Sequence, residues 1–250
     1  MAEAVAAQPP KPDYGLDAPV AVKRMFTRGA WFAGTGLVLF IINHNQYPAV
    51  SARLLAVLGF IGVVFWAAGA FMIWSSRVAK LELRDRLLDL LQFRGDEKVL
   101  DVGCGRGLMV IGAAKRLKSG KATGIDVWSP TDLSGNSADA CKQNAKIEGV
   151  SDRVRIENGD ARRLVYPANH YDVVMSTLAI HNLPEMADRK QAVQEMWRVL
   201  KPGGRVLVYD ILHAGEYAKI LRGLGAAEVT LSGLLFLWCV PSRSVIARKA

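Results

Sequence analysis

Apolar positions in the first part of the chain are continuous rather than periodic. Residues 54–74, LLAVLGFIGVVFWAAGAFMIW, carry no charge, and a helix needs about 20 such residues to cross the hydrocarbon core of a bilayer. A helix buried in a soluble core keeps a polar face over that length; this run has none. An earlier uncharged run, GAWFAGTGLVLFII at 29–42, is shorter, of a length that also suits a signal-peptide core or a re-entrant segment. Its flanks favour a span. Lys23, Arg24 and Arg28 precede it, Arg77, Lys80, Arg84 and Arg86 follow the second run, and the connection NHNQYPAVSAR holds only Arg53. Cytoplasmic loops collect Lys and Arg. The pattern therefore predicts a transmembrane helical hairpin over 29–76, with spans at 29–43 and 54–74 and both termini cytoplasmic.

Residues 1–28 open on an Ala- and Pro-rich stretch without periodicity and are expected to be a mobile cytoplasmic tail. Residues 77–95 place Val78, Leu81, Leu87, Leu88 and Leu91 among charges, the mark of an amphipathic connecting helix that ends near Gly95.

From residue 96 onward the pattern changes. Short apolar runs (KVLDVG, KATGIDV, RVRIENGD, YDVVMSTLAI, RVLVYDIL) alternate with helix-periodic segments, and EVTLSG and SRSVIARKA close the chain as two more strands. Alternation of this kind predicts an α/β fold, a doubly wound, mostly parallel Rossmann-like sheet over 96–250. Ligands in such sheets bind beyond the carboxyl ends of the strands, which is where the polar motifs fall.

Composition adds two exclusions. The formal charge of +9 invites a nucleic-acid partner, but the basic residues are scattered, with no aromatic-interleaved stripe. Basic flanks against anionic lipid account for the charge instead. Cys104, Cys141 and Cys239 form no C-x-x-C pair, so neither a metal site nor a disulfide framework is expected.

The chemistry starts at VLDVGCGRG, residues 99–107. A glycine-rich turn behind a strand serves a dinucleotide or S-adenosylmethionine (SAM). The spacing here is G-x-G-x-G, whereas the dinucleotide fingerprint is G-x-G-x-x-G. A carboxylate at the end of the next strand, Asp126, suits ribose hydroxyls in both ligand classes. NGDARRL then supplies Asp160, which can accept from an adenine amino group. Taken in order, VLDVGCGRG, GIDVW, NGDARRL, YDVVMSTLAIHNL and LKPGGRVLVYD resemble the successive motifs of the class I SAM-dependent methyltransferases, over roughly 96–250. The hairpin lies outside that resemblance.

The resemblance implies that Gly103, Gly105 and Gly107 let the backbone approach the methionine part of SAM, and that Asp101 holds its amino group. It implies Asp126 on the ribose, Val127 or Trp128 on the adenine face, and Asp160 with Ala161 on the adenine edge. Ser176, after the fourth strand, is placed with this cofactor group. Thr177, His181 and Asp210 are candidates for positioning the acceptor or taking its proton. Histidine as a residue type suits the role of a base, which makes His181 the candidate; packing against the cofactor, or capping the turn before Pro184, is its other reading.

The acceptor is narrowed by what is missing. Ser176-Thr177-Leu178 replaces the N/D-P-P-Y type sequence used on nucleic-acid amines, and no Pro-Cys pair or paired-glutamate loop is present. Small molecules and lipids remain. The apolar stretch at 234–240 is either core or a wall facing acceptor or bilayer. The sequence thus predicts an integral-membrane methyltransferase, SAM to S-adenosylhomocysteine, acting on a lipophilic small molecule or lipid. A tethered enzyme on a diffusible acceptor such as a thiol, or a non-catalytic SAM-binding module, are the alternatives.

Overall fold

A computed structural model of the chain describes residues 10–235 and 241–250. The two apolar runs form an antiparallel helical hairpin, α1 (Pro19–Asn43) and α2 (Pro48–Trp74). Prolines stand in the first turn of both helices, where the missing N–H would have had no partner. The hairpin closes through glycines. A Cβ on Gly29 would lie 2.4 Å from the Trp66 ring, and one on Gly62 would lie 2.9 Å from the Gly29 carbonyl oxygen. Trp66 Nε1 also donates to the Phe26 carbonyl at 3.1 Å.

Both helices are long and apolar enough to cross a membrane, and only 11% of each apolar window is buried inside the protein. Ile41, Ile42 and Phe60 are about 70% exposed. These are not core helices.

α1 begins ten residues ahead of the expected span and takes in Lys23, Arg24 and Arg28. After Trp74 the second helix does not stop: a π-turn at Ser75–Ala79 leads into α3 (Lys80–Asp89), so the helix runs 42 residues from Pro48 to Asp89. The connecting helix thus ends earlier than expected. Its face is set by Leu83, Leu87, Leu88 and the following Leu91, all buried, while Val78 is exposed.

Residues 10–17, expected to belong to a mobile tail, instead lie against the soluble domain. Asp13 N donates to Asn144 Oδ1 at 2.9 Å, Tyr14 Oη donates to Glu148 at 3.0 Å, and Leu16 N donates to Ser134 Oγ at 2.7 Å. Nothing in their local pattern announces this, because these three partners all lie more than a hundred residues away. The start of that tail, residues 1–9, lies outside the described residues.

The soluble domain is a seven-stranded sheet of order β3-β2-β1-β4-β5-β7-β6: β1 (Lys98–Val102), β2 (Lys121–Asp126), β3 (Val154–Asn158), β4 (Tyr171–Thr177), β5 (Leu200–Asp210), β6 (Ala226–Leu231) and β7 (Arg243–Lys249). The first five are parallel; β7 runs antiparallel to both its neighbours. Side chains alternate between two cores. Val99, Val173 and Leu207 face α3, α4 (Leu108–Ala114) and α5 (Ala138–Ile147), while Leu100, Val174, Val206 and Val208 face α6 (Met186–Val199) and α7 (Ala214–Gly223), as strand geometry requires. Strand order reverses between β1 and β4. The carboxyl ends of those two strands open a crevice there.

Candidate active site

The crevice is a cavity of about 660 Å³. Its floor is the turn after β1. Gly103 N and Cys104 N both donate to the Ile125 carbonyl, at 2.8 and 3.0 Å, which folds the turn back over β2. Gly103 and Gly107 have φ of +78° and +93°, and a Cβ on Gly103 would lie 2.2 Å from Ala179 Cβ. Only glycine fits.

Asp101 sits at the end of β1, 1% exposed, and neither carboxyl oxygen has a hydrogen-bond partner among the described residues. Burial, with the nearby Asp126 charge, pushes its pKa up to about 8. An unpartnered buried carboxylate is costly, and a cationic group brought to it would offset that cost. Asp126, at the end of β2, is 9% exposed. Its Oδ2 accepts from Gly105 N at 2.8 Å, and its Oδ1 accepts from Trp128 N at 2.6 Å and from Asn136 Nδ2 at 3.3 Å. The same carboxylate shapes the glycine turn and the loop after β2.

At the far rim, Asp160 and Ala161 line the cavity. Arg162 donates to both Asp160 oxygens, and this pairing holds the carboxyl below its ordinary range. Val127 lines the cavity and is 67% exposed.

Four of the expected residues, Gly107, Trp128, Ser176 and Asp210, do not line the cavity. Ser176 is 1% exposed and donates its hydroxyl to the Val102 carbonyl at 2.7 Å. Trp128, at φ +61°, turns its indole away to donate to Asn158 Oδ1 at 2.7 Å. Period-two alternation along β4 sends Ser176 inward and its neighbour Thr177 to the cavity, where Thr177 Oγ1 is buried without a partner among the described residues.

Opposite the glycine turn, a single 3₁₀ turn (Ile180–Asn182) presents His181. Asp210, buried at the end of β5, accepts from His181 N at 3.0 Å, and its Oδ1 lies 2.5 Å from His181 Nδ1 without the alignment of a hydrogen bond. Ile211 N and Tyr217 Oη also donate to Asp210, at 2.9 and 3.3 Å. Asp210 is thus fixed from three sides, and it anchors the backbone of the turn that carries the imidazole.

Residues 99–204 match the family described as methyltransferase domain. The class is decided by the glycine turn, the carboxylate at each of the first three strand ends and this strand order. This is a class I SAM-dependent methyltransferase domain.

Relatives agree. A 27-O-demethylrifamycin SV methyltransferase of Amycolatopsis mediterranei is 34% identical over 144 residues, 56% of this chain and 49% of that protein. A demethylmenaquinone methyltransferase of Lactiplantibacillus plantarum is 32% identical over 128 residues, 51% of this chain and 50% of that protein. The chain spans about half the length of these curated relatives. A SAM-dependent methyltransferase of Aquifex aeolicus shares the fold, with a TM-score of 0.54 at 20% identity, over 69% of this chain and 94% of that one.

The methyltransferase domain suits its cofactor, SAM. A bare glycine turn, an orphaned buried carboxylate and a second carboxylate at the end of β2 supply close backbone approach, a cation site and acceptors for hydroxyls. The cavity also takes in residues that no methyltransferase motif contains. Tyr14 and Asp17 come from the N-terminal segment, Met72 from the end of α2, and Lys80, Leu83 and Leu87 from α3. Continuity of the second helix past Trp74 was the one signal in the sequence, since it leaves no slack between hairpin and domain. Of the apolar stretch at 234–240, Leu234 is half exposed and Leu235 packs on the core. Residues 236–240, with Trp238 and Cys239, lie outside the described residues.

Proposed function

We propose that the protein is an integral-membrane methyltransferase that moves a methyl group from SAM to a lipophilic small molecule or lipid held in the bilayer. One observation carries the reading: Met72, on the last turn of an apolar helix long enough to span a membrane, lines the same cavity as Asp101 and the glycine turn. An acceptor dissolved among lipid tails then has an apolar path to the site along Met72, Leu83 and Leu87. Basic residues at both ends of the hairpin, Lys23, Arg24 and Arg28 on one side and Arg77 and Arg86 on the other, hold the domain against anionic headgroups on the cytoplasmic face.

When bound, SAM supplies a methyl group already activated on a positively charged sulfur. Asp101 takes the amino group, whose charge replaces the proton that burial keeps on the carboxyl. Asp126 takes the ribose hydroxyls through the lone pairs its three amide contacts leave free, while Val127, Asp160 and Ala161 hold the adenine. Alignment of donor and acceptor provides most of the rate, up to about 7–11 kcal/mol. His181, oriented by Asp210, accepts the proton of an acceptor that loses one, and Thr177 offers a hydroxyl for its orientation.

The test is mass spectrometry of lipid and aqueous extracts from cells with and without the protein. A gain of one CH₂ on an organic-phase molecule is expected. A gain confined to water-soluble molecules would make the hairpin a tether, and no gain in either phase would leave a SAM-binding module. The cytoplasmic assignment predicts that tags at residue 5 and residue 250 both resist external protease in intact cells. Digestion of the first tag alone would mean that α1 does not span.

A further inference from the structure

The N-terminal segment that walls the cavity is held by a lysine whose every donor is spoken for. Lys80 lies in the first turn of α3 and is 4% exposed. Its ammonium donates to the Tyr14 carbonyl at 2.9 Å, to the Gly15 carbonyl at 2.6 Å and to Asp17 Oδ2 at 3.3 Å. An ammonium has three protons. All three are used to hold one short stretch of chain, and none is left for a ligand.

The same stretch is stitched to the cofactor turn from the other side. Arg106, between Gly105 and Gly107, donates to the Asp13 carbonyl at 2.7 Å and to Asp13 Oδ2 at 2.9 Å. Its guanidinium continues to the Ser134 carbonyl at 3.1 Å, and Ser134 N donates in turn to the Leu16 carbonyl at 3.1 Å. Residues 13–18 therefore run as a strap from the glycine turn to α3, with Tyr14, Asp17 and Ala18 on the cavity wall. Beyond the strap the chain enters α1 directly, through Ala18 in a left-handed conformation at φ 46°.

We propose that Lys80 is a positioning residue of the donor site: it latches residues 13–18 across the cavity, and the latched strap retains the donor. The inference rests on the SAM reading above and adds to it a part of the site that the methyltransferase motifs do not contain. The strap lies over the glycine turn, so a donor seated there is covered by it, and exchange of donor for product requires the strap to lift. Lifting it breaks the three Lys80 contacts and the Arg106 contacts together. Strap and latch belong to the two ends of the hairpin, so the hairpin is what sets their spacing.

The experiment uses the full-length protein in lipid nanodiscs, with S-adenosylhomocysteine as the probe. Calorimetry gives its affinity, and chymotrypsin cleavage after Tyr14, which is 6% exposed in the latched form, reports the strap. In the wild type the probe should slow that cleavage several-fold. Lys80→Met should bind the probe about tenfold or more weakly, in proportion to the fraction of molecules left latched, and should be cut rapidly with or without it. In turnover it should raise KM for the donor more than it lowers kcat. Asp17→Asn keeps the two carbonyl contacts and should show the same changes at smaller size, so it decides the matter if Lys80→Met does not fold. Wild-type affinity in a folded Lys80→Met, or in Asp17→Asn where Lys80→Met fails, overturns the latch, as does a cleavage rate that the probe leaves unchanged. Failure of the wild type to bind the probe at all overturns the donor reading itself.

Discussion

The sheet domain and the hairpin bury their apolar residues in opposite ways. Within the domain, Val99, Leu100, Val173, Val174, Leu207 and Val208 are at most 1% exposed, because helices cover both faces of the sheet. In the hairpin the helices meet through Gly29 and Gly62, and the large side chains point outward. One region solves the hydrophobic problem within the chain; the other leaves it to its surroundings. Glycine contacts bring helix backbones together where no hydrophobic force between helices is available, which is the situation in lipid and not in water. The difference teaches that the hairpin leaves its large apolar side chains uncovered by this chain, as the proposed membrane setting requires, and that it delivers Met72 and Lys80 to the cavity.

The comparison breaks most visibly if the two regions are separated. A fragment beginning at residue 77 keeps every methyltransferase motif but loses the strap and Met72, and it should bind S-adenosylhomocysteine too weakly for calorimetry while keeping the sheet by circular dichroism. Wild-type affinity in that fragment would make the domain self-sufficient. Next in size, His181→Gln should lower kcat by about 10²–10⁴ with donor affinity unchanged; an unaltered kcat would mean that the acceptor loses no proton to this residue.

Asp126→Ala should weaken donor binding by about ten- to a hundredfold, as removal of hydrogen bonds to a charged group of about 1.5–3 kcal/mol implies. The smallest effect is on stability. Asp101 has a folded-state pKa of about 8, above its ordinary value of about 3.9. Between these values the folded state binds more protons than the unfolded one, so the carboxyl lowers stability progressively as pH rises from about 4 to 8. Asp101→Asn should therefore raise the melting temperature of the donor-free protein more at pH 8 than at pH 4, while weakening donor binding at both. A gain equal at the two pH values would mean that Asp101 is already ionised and paired.

What the sequence showed was local. Each strand-end motif occupies consecutive residues, so its chemistry and its place on the sheet are read together. The hairpin is legible for the same reason, since a charge-free run is its own evidence. Ser176 and Trp128 went astray at the level of a single residue. One step along β4 exchanges Ser176 for Thr177, and one left-handed backbone angle turns the Trp128 ring to Asn158. The strap was illegible for a different reason. Asp13 meets Asn144, and Tyr14 meets Glu148; neither partner leaves a mark on a Pro-rich stretch that lacks periodicity. Contacts of that kind are properties of the folded surface and have no pattern along the chain.

The π-turn at Ser75–Ala79 acts as a phase adjuster between two screws. A π-turn carries one residue more than the α-helical turn it replaces, and one residue is worth about 100° of rotation about the axis. Everything after Ala79 is thereby indexed against everything before Trp74, and Lys80 faces the strap because of that offset. Deleting one residue from the turn would restore an unbroken α-helix, remove no side chain from the cavity, and swing Lys80 more than a quarter-turn out of reach of Tyr14, Gly15 and Asp17.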